Sequence, residues 1–202
     1  MSDLYLTIKE HSEGMYKEKG SKFIAIAFPV FSEEEFKEKL RGIKKNYSTA
    51  RHHCYAFRLG VDMKNYRYSD DGEPNNSAGK PIFGQIQSFQ LTNVAIVVVR
   101  YFGGTKLGVG GLITAYKEAT KDALANSVII KKTVDSIYNV EFDYSIMSDV
   151  MNFIKKHQLT IIHQQLEETG SIQLKIRESK ATEIIEKLKK LKPIKVNFIK
   201  SV

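Results

Sequence analysis

The most informative part of the hydrophobic pattern is an apolar run that leads into a glycine-rich stretch and then a helical repeat. Residues 94–99 are six consecutive apolar residues, mostly β-branched, which predicts a strand covered on both faces in the middle of a sheet. Five glycines follow within nine positions: Gly103, Gly104, Gly108, Gly110 and Gly111. The apolar residues that come next have the spacing of one helix face and are Leu112, Tyr116, Ala119 and Ala123.

The pattern before this run predicts three more strands and two helices. Alternating apolar residues predict strands at 4–8 and 23–30, joined as a hairpin through a turn at 19–21. A third strand is expected at 51–59 and a short helix at 82–91. Ser32 and Glu35 have the spacing of a capping box, so the other helix should begin at Glu33. Its inward-facing residues should be Phe36, Leu40 and Ile43.

The last third of the chain has a regular alternation of strand and helix patterns. In order, the predicted segments are residues 137–142, 145–157, 159–166, 172–177, 179–191 and 194–199. They read as β, α, β, β, α, β, which is the split ferredoxin-like order. The change of pattern near Thr133 predicts two domains, 1–133 and 134–202, in a protein of the α+β class.

Composition indicates the cellular compartment in which the protein is expected. One cysteine, Cys54, excludes an internal disulfide and fits a reducing compartment. No apolar run approaches the length of a bilayer span, and the first residues lack the basic and apolar regions of a signal peptide, so we expect a cytoplasmic protein with no membrane partner.

The positive charge lies mainly in the first domain. The net charge is +8, from 31 basic and 23 acidic residues; the first 133 residues hold 20 and 14 of these, the rest 11 and 9. An excess of 20 − 14 = +6 beside the glycine-rich stretch favours RNA, ribosome or phosphate partners through long-range attraction.

Arg100 and Lys106 flank the first glycines, where the predicted strand leads to the predicted helix. Free N–H groups and the positive end of the helix dipole would favour an anion beside these cations. No nucleotide-binding motif fits, because Leu107 follows Lys106 where Ser or Thr is needed and Ile113 stands in place of a third glycine. The alternative interpretation is that the glycines only let the helix pack closely on the sheet.

The strand predicted at 51–59 holds a second group of reactive residues. Since neighbouring side chains on a strand point to opposite faces, His52 and His53 should not share a metal ion. Each histidine has either a core or a binding role, and Cys54 should be packed rather than nucleophilic. The acids of the loop at 69–81, Asp70, Asp71 and Glu73, have three alternatives: to ligate magnesium, to pair with Arg100 or Lys106, or to be solvated. We favour pairing.

Four motifs, in order along the chain, resemble the YigZ/IMPACT family. They are KGSKFIA (19–25), ARHHCYAFRLG (50–60), SDDGEPNNSAGKPI (69–82) and RYFGGTKLGVGGLITAYKEA (100–119). The last third resembles the small C-terminal domain of the bacterial members. Asn75 and Asn76 depart from the small residues usual at those positions.

The resemblance implies a fold and a setting. It implies a first domain similar to domain 2 of ribosomal protein S5 and to domain IV of elongation factor G. It also implies a ferredoxin-like second domain similar to domain V of that factor. A link to translation follows from it, because eukaryotic members restrain a stress kinase by competing for its ribosome-associated activator.

We therefore predict a translation-associated regulatory protein that binds RNA, the ribosome or a ribosome-associated factor, and we favour binding over catalysis. Its predicted binding residues are Arg51, His53, Arg58, Arg100, Tyr101, Phe102, Gly103, Gly104, Lys106, Gly108, Gly110, Gly111 and Lys117. No catalytic residue, metal or cofactor is expected. One alternative is an enzyme for a phosphorylated or nucleotide substrate, with a metal on the loop acids and His53 as base. Another is a module that binds only proteins of the translation apparatus.

Overall fold

The computed structural model describes residues 3–166, 169–191 and 193–201. The chain forms two compact units. The larger unit runs from Leu6 to Lys131, and the smaller unit combines the residues up to Tyr5 with those from Lys132 onward.

Strands and helices are interspersed along the described residues, with one or two strands between successive α-helices. In order they are β1 (Leu4–Ile8), β2 (Ser12–Glu18), β3 (Ser21–Pro29), α1 (Glu33–Asn46), β4 (His52–Leu59), β5 (Asn65–Ser69), α2 (Gly79–Ser88), β6 (Val94–Tyr101), α3 (Gly108–Ala125), β7 (Ile129–Thr133), β8 (Asp135–Asp143), α4 (Met147–Lys156), β9 (Thr160–Leu166), β10 (Thr169–Arg177), α5 (Glu178–Leu188) and β11 (Ile194–Ser201). A short 3₁₀ turn, Tyr144–Ile146, precedes α4.

The larger unit is built on a five-stranded sheet in the order β2-β3-β6-β4-β5. The central strand is β6, and it runs antiparallel to both β3 and β4. Residues 94–99 are fully buried, which confirms the prediction of a strand covered on both faces. The apolar run therefore fixes the centre of the sheet.

Helices cover both faces of this sheet. On one face α2 and α3 pack through Ile82, Ile86 and Tyr116 against small residues of β3 and β4. On the other face Phe36 of α1 packs against Phe57 and the odd-numbered valines of β6. The alternation of side chains along each strand separates these two cores.

The predicted start of α1 is confirmed. Its N-cap is Ser32, whose side-chain oxygen accepts a hydrogen bond from the Glu35 N–H at 3.1 Å. The Glu35 carboxylate accepts from the Phe31 N–H at 2.9 Å, one residue earlier than in the usual capping box. The helix therefore begins at Glu33, as its sequence predicts.

The predicted hairpin of residues 4–8 with 23–30 is wrong. The turn at Lys19 and Gly20 joins β2 to β3, whereas β1 pairs with β7. The sequence of β2 is mostly polar because one face of this edge strand is exposed, and its inward-facing Ser12 and Gly14 are small because the backbone of α3 comes close to Gly14. Such a strand has too few apolar residues to be seen from alternation. The short strands β5 and β7 were missed for the same reason.

The smaller unit has the predicted order of elements, from β8 through α4, β9, β10 and α5 to β11. Its four antiparallel strands lie in the order β11-β8-β10-β9. Both helices contribute to one core, with Val150 and Leu188 packed against Val140, Ile172 and Leu174 of the sheet.

Asp3 links the start of the described chain to this smaller unit. Arg177 donates to its carboxylate twice, from Nε at 2.6 Å and from Nη2 at 3.1 Å. The Ser179 N–H in the first turn of α5 donates to the same carboxylate. The paired guanidinium keeps the pKa of Asp3 well below its usual range. Among the described residues, no helix has both the length and the apolar character that a membrane span requires.

Candidate functional site

A cleft of about 900 Å³ lies in the larger unit where β6 ends and α3 begins. The first residues of β4 and the loop before α2 form its opposite side. Its lining residues are Thr49, Arg51, His52, Glu73, Pro74, Arg100, Tyr101, Phe102, Lys106, Leu107, Gly108, Val109 and Leu112. This volume is within the range of sites that bind small molecules or single groups of a larger ligand.

Arg100 lies at the base of the cleft and is only 8% exposed. Its Nη1 donates to Glu73 Oε1 at 2.6 Å, so the loop carboxylate neutralises it. The guanidinium carbon lies 5.5 Å from the Phe23 ring centre and 5.7 Å from that of Phe102. Its Nε is buried and has no hydrogen-bond partner among the described residues. The predicted pairing of an acid with Arg100 is confirmed for Glu73.

Glu73 is held from two sides. Besides Arg100, the hydroxyl of the fully buried Tyr116 donates to Oε1 at 2.8 Å. The Cys54 thiol donates to that hydroxyl at 3.2 Å and also contacts the Asp70 carbonyl oxygen at 2.9 Å. Burial raises the pKa of both Tyr116 and Cys54 well above their usual ranges. Cys54 is therefore a buried thiol and not a nucleophile.

The two aspartates of the loop have structural roles. The Asp70 carboxylate accepts from the N–H groups of Asn76, Ala78 and Gly79, and so closes the loop onto the start of α2. Asp71 accepts from the His53 N–H at 2.7 Å and from Lys44 Nζ at 3.3 Å. Across the described ranges there is no group of three or more His, Cys, Asp or Glu side chains that could hold a metal ion.

The rim of the cleft is cationic. Arg51 and Lys106 are both exposed, and neither forms an ion pair with any side chain that the structure describes. Between them, His52 Nδ1 lies 2.8 Å from the Asp71 carbonyl oxygen. Because a carbonyl oxygen only accepts, Nδ1 carries the proton. The two free cations make the mouth of the cleft attractive to anions.

One wall of the cleft is apolar. Phe102 is 56% exposed and Val109 is 52% exposed, which is high for side chains of this type. Leu107 and the buried Leu112 continue this wall towards the sheet. The cleft thus combines apolar surface with positive charge at its mouth.

The N-terminus of α3 opens at the cleft. No side chain caps this helix and no acid occupies its first turn. Its first N–H groups lack intrahelical acceptors, and the helix dipole is positive at this end. Both effects add to the attraction of Lys106 for an anion.

The glycines before and within α3 have different reasons to be glycine. Gly104 and Gly108 have φ of 90° and 72°, which other residues rarely adopt. Gly103 lies so close to Gly20 in the β2–β3 turn that a Cβ atom would overlap the Gly20 backbone. Among these glycines, Gly110 is the one within the regular part of α3 at which an added Cβ atom would meet no neighbouring atom. Turn geometry and the contact with the β2–β3 turn therefore explain part of the cluster, whereas none of the contacts of these glycines with the described residues brings α3 against the sheet, as the alternative interpretation required.

The predicted binding residues divide into two groups. Those that line the cleft are Arg51, Arg100, Tyr101, Phe102, Lys106 and Gly108. The other predicted residues do not line it, and they are His53, Arg58, Lys117, Gly103, Gly104, Gly110 and Gly111. His53 is on the α1 side of the sheet, where its Nε2 lies 3.2 Å from the Tyr47 carbonyl oxygen. Burial lowers its pKa, so it does not supply the positive charge that was predicted.

Arg58 lies at the far end of the same strand. In the register of β4 and β6 it is opposite Val94, whereas His52 is opposite Arg100. Six residues of strand separate these positions by about 20 Å. Its Nη1 donates to the Leu91 carbonyl oxygen at 3.1 Å within the core. Lys117 is exposed on α3 but does not line the cleft.

Sequence reasoning missed His52 as a residue of the cleft, and it gave Glu73 only as one of three loop acids that could pair with Arg100 or Lys106. Strand alternation could have found His52, because it shares a face with Arg58 and the cleft-side residues, while His53 takes the other face. Glu73 gave no comparable signal. It sits in an irregular loop whose path depends on the Asp70 hydrogen bonds.

Residues 19–124, more than half of the chain, match the Impact N-terminal domain. The chain belongs to the IMPACT family. YvyE of Bacillus subtilis, a member of the family, is 32% identical over 157 residues, covering 78% of this chain and 72% of that protein. The family member YigZ of Escherichia coli is 30% identical over 172 residues, which is 84% of each chain.

A crystal structure of a hypothetical protein is similar over almost the whole length, with a TM-score of 0.77, 26% identity and 99% of each chain covered. The segment that carries the IMPACT family match contains every residue that lines the cleft. The smaller unit lies outside that segment.

Proposed function

We propose that this IMPACT family protein is a cytoplasmic regulator of translation that binds RNA, free or within the ribosome, through the cleft of its larger unit. The observation that carries the proposal is that two cations, Arg51 and Lys106, lie at the mouth of a partly apolar cleft and form no ion pair with any side chain that the structure describes. Phosphate attracts such cations, and an exposed ring beside them offers a surface for a base.

Membership of the IMPACT family supports the part of the proposal that concerns translation, because it suggests a role in that process. We also infer that the larger unit has a fold like domain 2 of ribosomal protein S5 and the smaller unit a ferredoxin-like fold. The strand order β11-β8-β10-β9 and the two helices on one core support the second inference. Both folds occur in proteins that contact RNA in the ribosome, as the resemblance implied.

The metal-dependent enzyme has less support than binding. Asp70 and Asp71 use their carboxylates to hold backbone N–H groups, and Glu73 is committed to Arg100 and Tyr116. A base at His53 would lie on the other face of the sheet from the cleft. We therefore propose binding and not catalysis.

The experiment is a salt titration of binding to a labelled single-stranded RNA, followed by fluorescence anisotropy. Neutralising two phosphates, one for each free cation, should give a slope of about −1.4 for log affinity against log salt. Lys106→Glu should weaken binding at low salt and make this slope shallower by about 0.7.

Lys155→Glu is the matched control, because Lys155 is an exposed lysine on α4 of the other unit. It makes the same change in net charge and should leave the slope unchanged. A slope near zero for the native protein would refute the electrostatic basis of the proposal. Ribosome association that survives nuclease treatment, without RNA binding, would instead favour a protein partner.

A further inference from the structure

The base of the cleft has a feature that a simple anion site does not need. The Glu73 side chain lines the cleft and carries a negative charge, whereas the side chains on the rim of the cleft are cationic. Both of its hydrogen bonds are made by Oε1, from Arg100 and from Tyr116. Its Oε2 has no hydrogen-bond donor among the residues that the structure describes.

A carboxylate oxygen at this position repels phosphate and accepts hydrogen bonds from hydroxyl or amino groups. Because Arg100 and Tyr116 fix Oε1, the direction of Oε2 is also fixed. A ligand that fits the whole cleft must therefore carry a negative group for the rim and a hydrogen-bond donor for the base. It must also carry apolar surface for the wall of Phe102 and Val109.

A ribonucleotide has these three parts within one unit. Its phosphate suits Arg51 and Lys106, and its base can stack on the exposed ring of Phe102. Its 2′-hydroxyl is a donor that DNA lacks, and it is the group by which proteins distinguish RNA from DNA. In a duplex the bases are stacked on each other and cannot reach an apolar wall in a cleft.

We propose that the cleft binds one unpaired ribonucleotide of an RNA strand and that Glu73 Oε2 accepts the hydrogen bond of its 2′-hydroxyl. This inference rests on the proposed function and specifies its ligand. Glu73 is then the residue that selects RNA over DNA, while Phe102 and Lys106 bind both.

The test compares the native protein on four labelled probes of one sequence: single-stranded RNA, the corresponding DNA, the 2′-O-methyl RNA and the RNA duplex. A hydrogen bond to a charged group corresponds to roughly a tenfold or greater change in affinity. The RNA strand should therefore bind about tenfold or more tightly than the DNA or the 2′-O-methyl strand. The duplex should compete poorly with the single strand.

Two variants separate the roles. Glu73→Gln keeps an oxygen that can accept from Arg100 and Tyr116 but loses the free carboxylate oxygen, so the preference for RNA over DNA should fall towards one. Phe102→Leu should weaken RNA and DNA by a similar factor, about 5- to 150-fold, and keep their ratio. Phe31→Leu is the control, because Phe31 is also 56% exposed but lies outside the cleft.

Equal affinity for the RNA, DNA and 2′-O-methyl strands would overturn this inference, and so would equal binding of the duplex. In that case a retained salt slope would leave the proposed function standing. If no nucleic acid binds, both proposals fail. The comparison of probes on the native protein decides the question even if Glu73→Gln does not fold.

Discussion

Replacing Tyr116 by phenylalanine tests the buried network beneath the cleft. The substitution removes one hydroxyl and leaves the ring in its edge contact with Phe23, whose centre is 5.1 Å away. The hydroxyl is fully buried and donates to Glu73 Oε1 at 2.8 Å. Cys54 loses one acceptor but keeps the Asp70 carbonyl oxygen at 2.9 Å. The loss therefore falls mainly on Glu73.

The size of the effect follows from the charge of the acceptor. A hydrogen bond to a charged group contributes about 1.5 to 3 kcal/mol, and Glu73 keeps its second bond, to Arg100. We expect Tyr116→Phe to lower the free energy of unfolding by about 2 kcal/mol. With a denaturant dependence of about 1 to 3 kcal/mol per molar urea, the midpoint should fall by roughly 1 M.

The assay is urea unfolding followed by far-ultraviolet circular dichroism, because the chain has no tryptophan. Tyr144→Phe is the control, since it removes the same hydroxyl from a tyrosine of the smaller unit that is 58% exposed. Its midpoint should equal that of the native protein. A double-mutant cycle with Glu73→Ala, which removes the acceptor of the Tyr116 hydroxyl, should show a coupling energy of about 1 kcal/mol or more.

A Tyr116→Phe protein within about 0.5 kcal/mol of the native stability would refute this reasoning. Effects of Tyr116→Phe and Glu73→Ala that simply add would do so too. Either result would mean that the hydroxyl does not help to hold Glu73, and the fixed direction of Oε2 would lose its support.

Three further predictions concern the same unit. Ser32→Ala removes the cap of α1 and should lower its stability by about 1 kcal/mol in urea unfolding. Burial lowers the pKa of His53 below 6.5, so the unfolded chain binds a proton at this residue before the folded protein does as the pH falls. The stability of the native protein should therefore be retained above pH 6.5 and decrease below it. Urea midpoints measured across pH should show a smaller decrease for His53→Gln. Gly110→Ala should raise thermal stability, by about 0.5 to 1 kcal/mol, whereas Gly103→Ala should lower it severely because its methyl group meets Gly20.

Much of the fold was predictable because its main elements have strong local signals. The apolar run of β6, the cap of α1 and the alternation in the smaller unit each follow from a few residues. The edge strand β2 had no such signal, since one of its faces is exposed and its buried positions Ser12 and Gly14 are not large apolar residues. Pairing partners that are distant in sequence, such as β1 and β7, depend on the whole fold.

The candidate site was only partly predictable. The glycine-rich loop, Arg100 and Lys106 were visible as a group because they are close in sequence. Strand register decided the rest: it placed Arg58 far from the cleft and His53 on the wrong face. The composition of the loop favoured a pairing of its acids with Arg100 or Lys106, but which acid reaches Arg100 depends on the path of the loop, and no local pattern shows that path.

The bond between Asp3 and Arg177 affects how the protein can be made and divided. Its two residues are 174 positions apart, and the entire larger unit lies between them. During synthesis the larger unit can therefore finish folding first, while Asp3 remains without its partner until Arg177 has left the ribosome. A fragment that starts after Thr133 would lack Asp3 and with it the partner of Arg177. A recombinant smaller unit should therefore include the residues up to Tyr5, joined to the rest through a linker.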